Sequence, residues 1–307
     1  LDELAFLNQQ HVAKHPEQRD LAARMETYEL ALVRALASLD QQRDYHIFCM
    51  HQAAPDLFHL SQRNVHYHVL WPTTRWASVP VSLPLALLKQ RIDLLHATFV
   101  PPPWSPTSYV FTMHDISTIA HPEFYPAPLR WRTNKLMLQG LKKARLILCV
   151  SANVRDDVAA HWGIPPERLA VAYHGVGTNF YPMARAQARD IVRQTYGVQH
   201  PYILYVGRLE QRKNIVRILE AFHQLRHEVT SEVKLVLIGR REWVWPDIDT
   251  TIERLRLRDH VLELGFFDHK DLPVFYSAAE MLVFPSLWEG FGLPVVEAMA
   301  CGCPVIT

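Results

Sequence analysis

The chain has 307 residues, of which 49% are hydrophobic, and its formal net charge at pH 7 is +1. That length can fill two hydrophobic cores, and so small a charge gives no electrostatic argument for nucleic-acid binding. No stretch is apolar over the length of a membrane-spanning helix, and the four cysteines lack partners at the spacing of a metal site. We therefore expect no Cys/His metal site and a cytoplasmic protein with reduced, buried thiols.

Strand-like apolar runs and helical periodicities alternate along the first half of the chain, beginning with an amphipathic helix over 25–39. The predicted strands are 45–50, 65–70, 92–98, 108–115 and 144–151, and the segment 168–177 is predicted as a strand that runs into a glycine loop. The further predicted helices are 83–89, 129–143 and 152–161. Such alternation is typical of a doubly wound α/β domain with a parallel sheet.

A polar stretch over 178–200, with a helix ending near Gly197, precedes a second alternation of the same kind. Its predicted strands are 202–208, 233–239, 261–265, 281–286 and 304–307, and its helices are 214–228, 249–256, 270–278 and 294–300. We therefore predict two Rossmann-like, doubly wound α/β domains, 1–180 and 181–307, which face a cleft.

The two ends of the chain depart from this pattern. Residues 1–20 are polar and do not indicate a buried first strand, and the last predicted strand is not followed by a covering helix. We therefore expect the chain to be truncated at both ends, with the second domain incomplete.

The most informative stretch is LWEGFGLPVVEAMACGCPVIT, in which Glu289 and Glu297 flank a turn and the start of a helix. Gly290 and Gly292 permit dihedrals that other residues avoid, and Pro294 suits the first helical position. Free N–H groups at a helix start favour an anion, and open α/β sheets bind ligands at the carboxyl ends of their strands. The pattern predicts an anion- and sugar-binding loop; solvated glutamates on a plain strand–loop–helix are the alternative.

A group of cations follows the first strand of the second domain, in YVGRLEQRKN. Gly207 ends the strand, and Arg208, Arg212 and Lys213 come before a helix that is predicted to begin near Asn214. Arginine binds phosphate oxygens in a fork and lysine acts as a point charge, so the group suits a diphosphate. The alternative is a solvated basic loop, and the glycine spacing of a P-loop is absent.

Two features of the first domain also carry chemistry. The segment SYVFTMHD places His114 and Asp115 at the carboxyl end of a strand, where an acid can orient an imidazole; a structural histidine is the alternative. The basic helix 129–145 could rest on an anionic membrane surface, although a solvated helix face is the simpler interpretation.

Together, GRLEQRKN, the glycine loop with its two glutamates, FTMHD and HGVGTNFYP resemble retaining glycosyltransferase family 4, which has the two-domain GT-B fold. The resemblance spans roughly 25–307 and is nearest in look to bacterial mannosyltransferases that build surface polysaccharide. It implies transfer of a hexose, with mannose from GDP-mannose favoured, from a nucleotide-diphosphate sugar to a glycan or lipid-linked acceptor. Configuration at the sugar would be retained.

The resemblance also implies residue roles. The implied donor-binding residues all follow strands of the second domain: Gly207, Arg208, Lys213, Asp268, Glu289, Gly290, Phe291, Gly292, Leu293 and Glu297. Arg208 and Lys213 would hold the diphosphate in place of a metal, so the resemblance implies no metal and no cofactor. Glu289 would bind sugar hydroxyls. Glu297 would accept from the ribose hydroxyls, and N–H groups over 290–293 would meet phosphate or sugar. Asp268 would lie near the base.

In the first domain, the resemblance implies that His114 touches the transferred sugar. Ala23 and Arg24 stand where the family usually has a glycine pair. That departure keeps open a second hypothesis, a catalytically silent donor-binding fragment or scaffold. A third, a sugar-nucleotide epimerase of the same fold, is disfavoured by the paired glutamates.

Overall fold

A computed structural model describes residues 31–50, 60, 62–72, 74, 77–98, 101–125, 127–198, 201–229, 232–241, 246–267 and 269–307. Within them the chain divides into two compact units, with the division between Ala172 and Tyr173. The sequence-based border between 180 and 181 is close to this division. Ala23, Arg24 and Asp268 lie outside the described residues.

The described residues of the first unit include six parallel strands in two sheets. The strands are β1 (Tyr45–Cys49), β2 (Val65–Val69), β3 (Leu94–Ala97), β4 (Ser108–Met113), β5 (Leu146–Cys149) and β6 (Leu169–Val171). The helices are α1 (described over 31–39), α2 (Leu83–Lys89), α3 (Ser117–Ala120), α4 (Ala127–Lys143) and α5 (Ala152–Trp162). β1 pairs with β2, and the other strands pair in chain order, β3-β4-β5-β6.

The interior of the first unit forms around β4 and β5, whose core side chains include Phe111, Met113 and Ile147. Helix α4 approaches the proline-rich loop that precedes β4 so closely that a Cβ on Gly140 would lie 2.1 Å from Cγ of Pro101. This close approach explains a glycine inside a helix, where it otherwise costs stability.

The second unit is a five-stranded parallel sheet flanked by helices. Its strands are β7 (Tyr202–Val206), β8 (Lys234–Ile238), β9 (Val261–Gly265), β10 (Met281–Val283) and β11 (Val305–Ile306). Its helices are α6 (Arg185–Tyr196), α7 (Ile215–Glu228), α8 (Pro246–Arg254), α9 (Leu272–Ala278) and α10 (Leu293–Ala300). Every residue of β7 is buried, as expected of a strand covered on both faces.

The strand order of the second sheet is β11-β10-β7-β8-β9. The chain runs from β7 outward through β8 to β9, then returns to the other side of β7 for β10 and β11. The direction of winding therefore reverses between β7 and β10, and open α/β sheets bind ligands outside the carboxyl ends of the strands at such a switch point.

The described elements confirm the predicted α/β alternation, with corrections at several ends. β6 ends at Val171, and the mostly exposed segment 172–179, which contains the predicted glycine loop, makes no ladder beyond it. β10 ends at Val283, and residues after it turn into the loop toward α10. The helix of the linker ends as predicted, with Gly197 in the left-handed conformation at φ 74°.

Candidate functional site

Two loops meet at the switch point of the second sheet, one after β7 and one after β10. The backbone N–H of Leu287 donates to the carbonyl of Arg212 at 2.9 Å. The side chain of Asn214, which adopts the left-handed conformation at φ 59° just before α7, donates to the carbonyl of Pro285 at 3.2 Å. These bonds tie the loop of cations to the loop of Glu289, although their residues are far apart in sequence.

A compact group of charges lies where the loops meet. Glu289 accepts from Lys213 on Oε1 and lies 3.4 Å from the guanidinium of Arg212 on Oε2. Arg212 also donates to Glu210 Oε1 at 2.7 Å. Arg212 and Lys213 are buried in a single 3-10 turn, and the Nζ atom of Lys213 lies 5.1 Å from the centre of the Phe284 ring. The predicted basic loop is therefore not a solvated one at these two positions.

Burial and pairing together decide the ionisation of this group. Burial opposes the charge of Glu289, but Lys213 and Arg212 outweigh it, so the pKa of the Glu289 carboxyl falls below its usual range. Burial is also the largest influence on Lys213 and lowers the pKa of its ammonium group to about 8, although Glu289 counteracts it. An anion that reached Lys213 would raise the pKa of its ammonium group again.

Close backbone packing shapes the floor beside this group. A Cβ on Gly239, which follows β8, would lie 1.8 Å from the carbonyl oxygen of Gly207, which follows β7. The Tyr205 hydroxyl donates to the carbonyl of Arg208 at 2.8 Å and fixes the backbone there. Arg208 itself is half-buried and follows the same strand, β7, as Lys213; its place beside a ligand stays a prediction.

The glycine loop over 290–293 leads directly into α10. Gly292 is left-handed at φ 87° just before the helix, so a residue with a side chain would be strained there. The ring of Phe291 contacts the imidazole of His174 edge-on, with centroids 5.2 Å apart. Burial lowers the pKa of His174, which therefore favours the neutral imidazole at this contact. α10 begins at Leu293, one residue before the start that we predicted at Pro294, so the proline takes the second helical position.

Glu297 has a different setting from Glu289. Because α10 begins at Leu293, Glu297 lies in its second turn. Only 2% of Glu297 is exposed. Its Oε1 lies 3.0 Å from Nε2 of His269, and its Oε2 accepts from the hydroxyl of Tyr276 at 2.8 Å. The contact of Glu297 with the ribose stays a prediction. In the structure, its carboxylate already has two protein partners.

The structure brings Lys213 and Glu289 together, and Gly207 and Arg208 follow the same strand, β7, as Lys213. Glu297 lies further along α10 with its own partners. His114 follows β4 in the first unit and is half-buried; its role at a sugar stays a prediction. Asp115 accepts from the N–H of Ser117 at 2.5 Å, so its carboxylate caps the short helix α3. Sequence reasoning missed His269 and Tyr276, because contacts of Glu297 with other elements leave no local pattern.

The described residues include no group of three or more metal-ligating side chains that could hold an ion. They also include no helix with both the length and the apolar character needed to cross a bilayer. All four cysteines are buried as free thiols. In the basic helix α4, Trp131 is exposed, and the Nζ atom of Lys135 lies 5.0 Å from the centre of its ring.

Comparisons with protein families match both halves of the chain. A model described as Glycosyltransferase Family 4 matches residues 25–180, half of the chain, and one described as Glycosyl transferases group 1 matches residues 189–307. Among curated proteins, O-antigen chain mannosyltransferase B of Escherichia coli is 34% identical over 197 residues, covering 64% of this chain and 52% of that protein. O-antigen chain mannosyltransferase RfbU of Salmonella typhimurium is 28% identical over 196 residues, covering 64% of this chain and 50% of its own length. The chain thus spans about half the length of these relatives.

Solved structures share the fold. Sucrose-phosphate synthase from Thermosynechococcus elongatus superposes with a TM-score of 0.65 at 24% identity, covering 88% of this chain and 72% of that one. WaaG, a glycosyltransferase involved in lipopolysaccharide biosynthesis, has a TM-score of 0.66 at 18% identity, covering 92% of this chain and 76% of its own. These likenesses confirm the predicted GT-B class of fold, built from two Rossmann-like α/β units. With a family model matched over half its length, the chain belongs to glycosyltransferase family 4.

Proposed function

We propose that this protein is a glycosyltransferase that moves mannose from GDP-mannose to a glycan or lipid-linked acceptor with retention of configuration. The observation that carries the proposal is the ion pair of buried Lys213 with half-buried Glu289 at the switch point of a nucleotide-binding type of sheet. Relatives described as O-antigen mannosyltransferases support the sugar. HepE from Anabaena, a neighbour in fold at a TM-score of 0.64, was solved with UDP-glucose, which supports a nucleotide-sugar donor.

The charges of the site divide the chemistry between two ends of the donor. Lys213, with Arg208 beside it, stabilises negative charge that develops on the diphosphate as it leaves, so these residues do the work of a metal. Glu289, held ionised, accepts hydrogen bonds from sugar hydroxyls. N–H groups of the loop 290–293, at the start of α10, face the same edge of the sheet and add donors for phosphate or sugar.

Retention follows when the acceptor attacks from the face that the diphosphate leaves. The bond from the sugar carbon to the diphosphate oxygen breaks as the bond to the acceptor oxygen forms, and the acceptor proton passes to the departing diphosphate. Proton and charge balance without a protein nucleophile, and the products are the glycoside and GDP. His114 contacts the transferred sugar in this proposal, and Glu297 serves the ribose through its place on α10.

The test is release of GDP from GDP-mannose in the presence of an acceptor glycan, with the product anomer assigned by nuclear magnetic resonance. We expect Lys213→Ala and Glu289→Ala each to lower turnover by about 10³-fold, because each removes a charge that acts on the reacting groups. Glu220→Ala, an acidic control on the exposed face of α7 in the same unit, should keep full turnover. Unchanged turnover in both site variants would refute the proposal. If the unaltered protein binds the donor but neither it nor any variant transfers the sugar, the result would favour the silent donor-binding alternative.

A lipid-linked acceptor would bring the enzyme to a membrane. We propose that α4 supplies the contact, because Lys142, Lys143 and the exposed Trp131 combine positive charge with an aromatic ring. Sedimentation with anionic vesicles tests this: Lys142→Gln with Trp131→Ala should lower the bound fraction, whereas neutral vesicles should bind neither protein. Equal binding of the variant and the unaltered protein would contradict it.

A further inference from the structure

Arg212 is held on three sides by acceptors from two different loops. One arm of its guanidinium donates to Glu210 Oε1 at 2.7 Å, and the other donates to the carbonyl of Trp288 at 2.8 Å and lies 3.4 Å from Glu289 Oε2. Only 10% of the side chain is exposed. Both terminal nitrogens of this buried guanidinium therefore donate to protein acceptors.

The contacts of Arg212 fix Glu289 in two respects. The bond to the carbonyl of Trp288 holds the backbone immediately before Glu289, while the guanidinium also reaches the carboxylate. The carbonyl of Arg212 accepts from the N–H of Leu287, so the same residue holds the β10 loop from its own backbone as well. Both the place of Glu289 and the direction of its carboxylate therefore depend on Arg212.

Lys213 is a different kind of partner. Its ammonium is a point charge on a flexible stem, and it contacts Glu289 Oε1 and the face of Phe284. An anion bound at the switch point would draw this ammonium toward itself. Glu289 would then keep its orientation only if a second cation, fixed by other bonds, stayed beside Oε2. Arg212 meets that condition, because two of its three acceptors lie outside the Lys213–Glu289 pair.

We propose that Arg212 is a positioning residue that holds Glu289 against the sugar while Lys213 serves the diphosphate. The proposal deepens the proposed function and rests on it. Arg212 touches neither sugar nor phosphate in this scheme; it acts through Glu289. Lysine cannot replace it, because an ammonium lacks the planar fork that reaches Glu210 and Trp288 together.

The test compares Arg212→Ala and Arg212→Lys with Arg217→Ala, a control at an exposed arginine that pairs with Glu220 on α7. We expect kcat with GDP-mannose to fall about 10²-fold in both site variants, since a misplaced group costs roughly that much. The dissociation constant for GDP should change less than about threefold, because the diphosphate ligands remain. Added guanidinium chloride at low millimolar concentration should restore kcat of Arg212→Ala about tenfold, and ammonium chloride should not. Arg217→Ala should match the unaltered protein.

Two results would overturn the proposal. An unchanged kcat would show that Glu289 needs no support from Arg212. A loss of GDP affinity as large as the loss of kcat would make Arg212 a diphosphate ligand instead.

A double-mutant cycle distinguishes a failure of this proposal from a failure of the proposed function. If the unaltered protein transfers no sugar, the proposed function fails, but the extra affinity for GDP-mannose over GDP still reports on Glu289. That extra affinity should be lost equally in Arg212→Ala, Glu289→Ala and the double variant. If neither ligand binds, thermal midpoints give the same comparison: the double variant should unfold no lower than the worse single variant. Additive losses in either measurement would contradict coupling of the two residues.

Discussion

Replacing Tyr276 by phenylalanine removes one hydroxyl and leaves the ring in place, so it isolates the bond to Glu297 Oε2 at 2.8 Å. Tyr276 is fully buried, and its hydroxyl donates to a carboxylate with almost no access to water. A hydrogen bond to a charged group contributes about 1.5–3 kcal/mol, so we expect the variant to lose about 2 kcal/mol of unfolding free energy. The matched control is Tyr202→Phe, which removes a buried hydroxyl bonded at 2.8 Å to the neutral carbonyl of Phe275. That bond should contribute about 1 kcal/mol.

Urea unfolding at pH 7 measures both variants. With an m-value of about 2 kcal/mol per molar, the midpoint should fall by about 1 M for Tyr276→Phe and by about 0.5 M for Tyr202→Phe. The difference between the two variants is the quantity that depends on the charge of Glu297. Equal midpoint shifts would refute the reasoning, because they would mean that Glu297 is not an ionised acceptor for Tyr276.

Three further predictions concern other parts of the chain. Gly140→Ala gains about 1 kcal/mol of helix propensity, but it forces a Cβ to 2.1 Å from Pro101, and such overpacking costs about 1–3 kcal/mol. The thermal midpoint should therefore fall, and a rise would contradict the close packing. Burial, together with neighbouring histidines, lowers the pKa of His46 and His68, so the folded state binds fewer protons than the unfolded state. Stability should therefore fall as pH drops through the unfolded value near 6.5, and His68→Gln should flatten the profile of midpoint against pH from 7.5 to 5. Burial lowers the pKa of Lys213 to about 8 in the unliganded protein, so the affinity for GDP should decline as the pH rises above that value. Calorimetry that shows no such decline would exclude a charged Lys213 as the ligand of GDP.

The alternation of short apolar runs with helical periodicity was sufficient to predict the α/β class. Strands covered on both faces become nearly continuous apolar segments, as in YILYV and KLVLI, and this signal is local. Ends of elements were less well predicted. The segment after Val171 and the residues after Val283 keep apolar side chains, but their backbones leave the ladder, and nothing local distinguishes a strand residue from one in the loop beyond it.

Part of the candidate site could be predicted from the sequence, because that signal too is local. Four residues of the site follow strands or precede a helix: Gly207, Lys213, Glu289 and Gly292. The carboxyl ends of parallel strands lie at one edge of a sheet, which is where open α/β sheets bind ligands. Residue order alone therefore predicted that these residues lie at that edge. The partners of Glu297 could not be predicted from the sequence, because Tyr276 and His269 belong to α9 and the loop before it. Such contacts join distant parts of the chain and leave no periodic trace.

The sequence by itself determined that two α/β halves follow one another and that cations and glutamates collect at strand ends, since these properties depend on neighbours along the chain. Tertiary structure alone decided that β10 lies beside β7, and with it which charges meet. Arg208, Arg212 and Lys213 are equivalent cations in the sequence. The packing of the two loops buries Arg212 among protein acceptors and pairs Lys213 with Glu289, because only the folded sheet brings residue 289 next to residues 212 and 213.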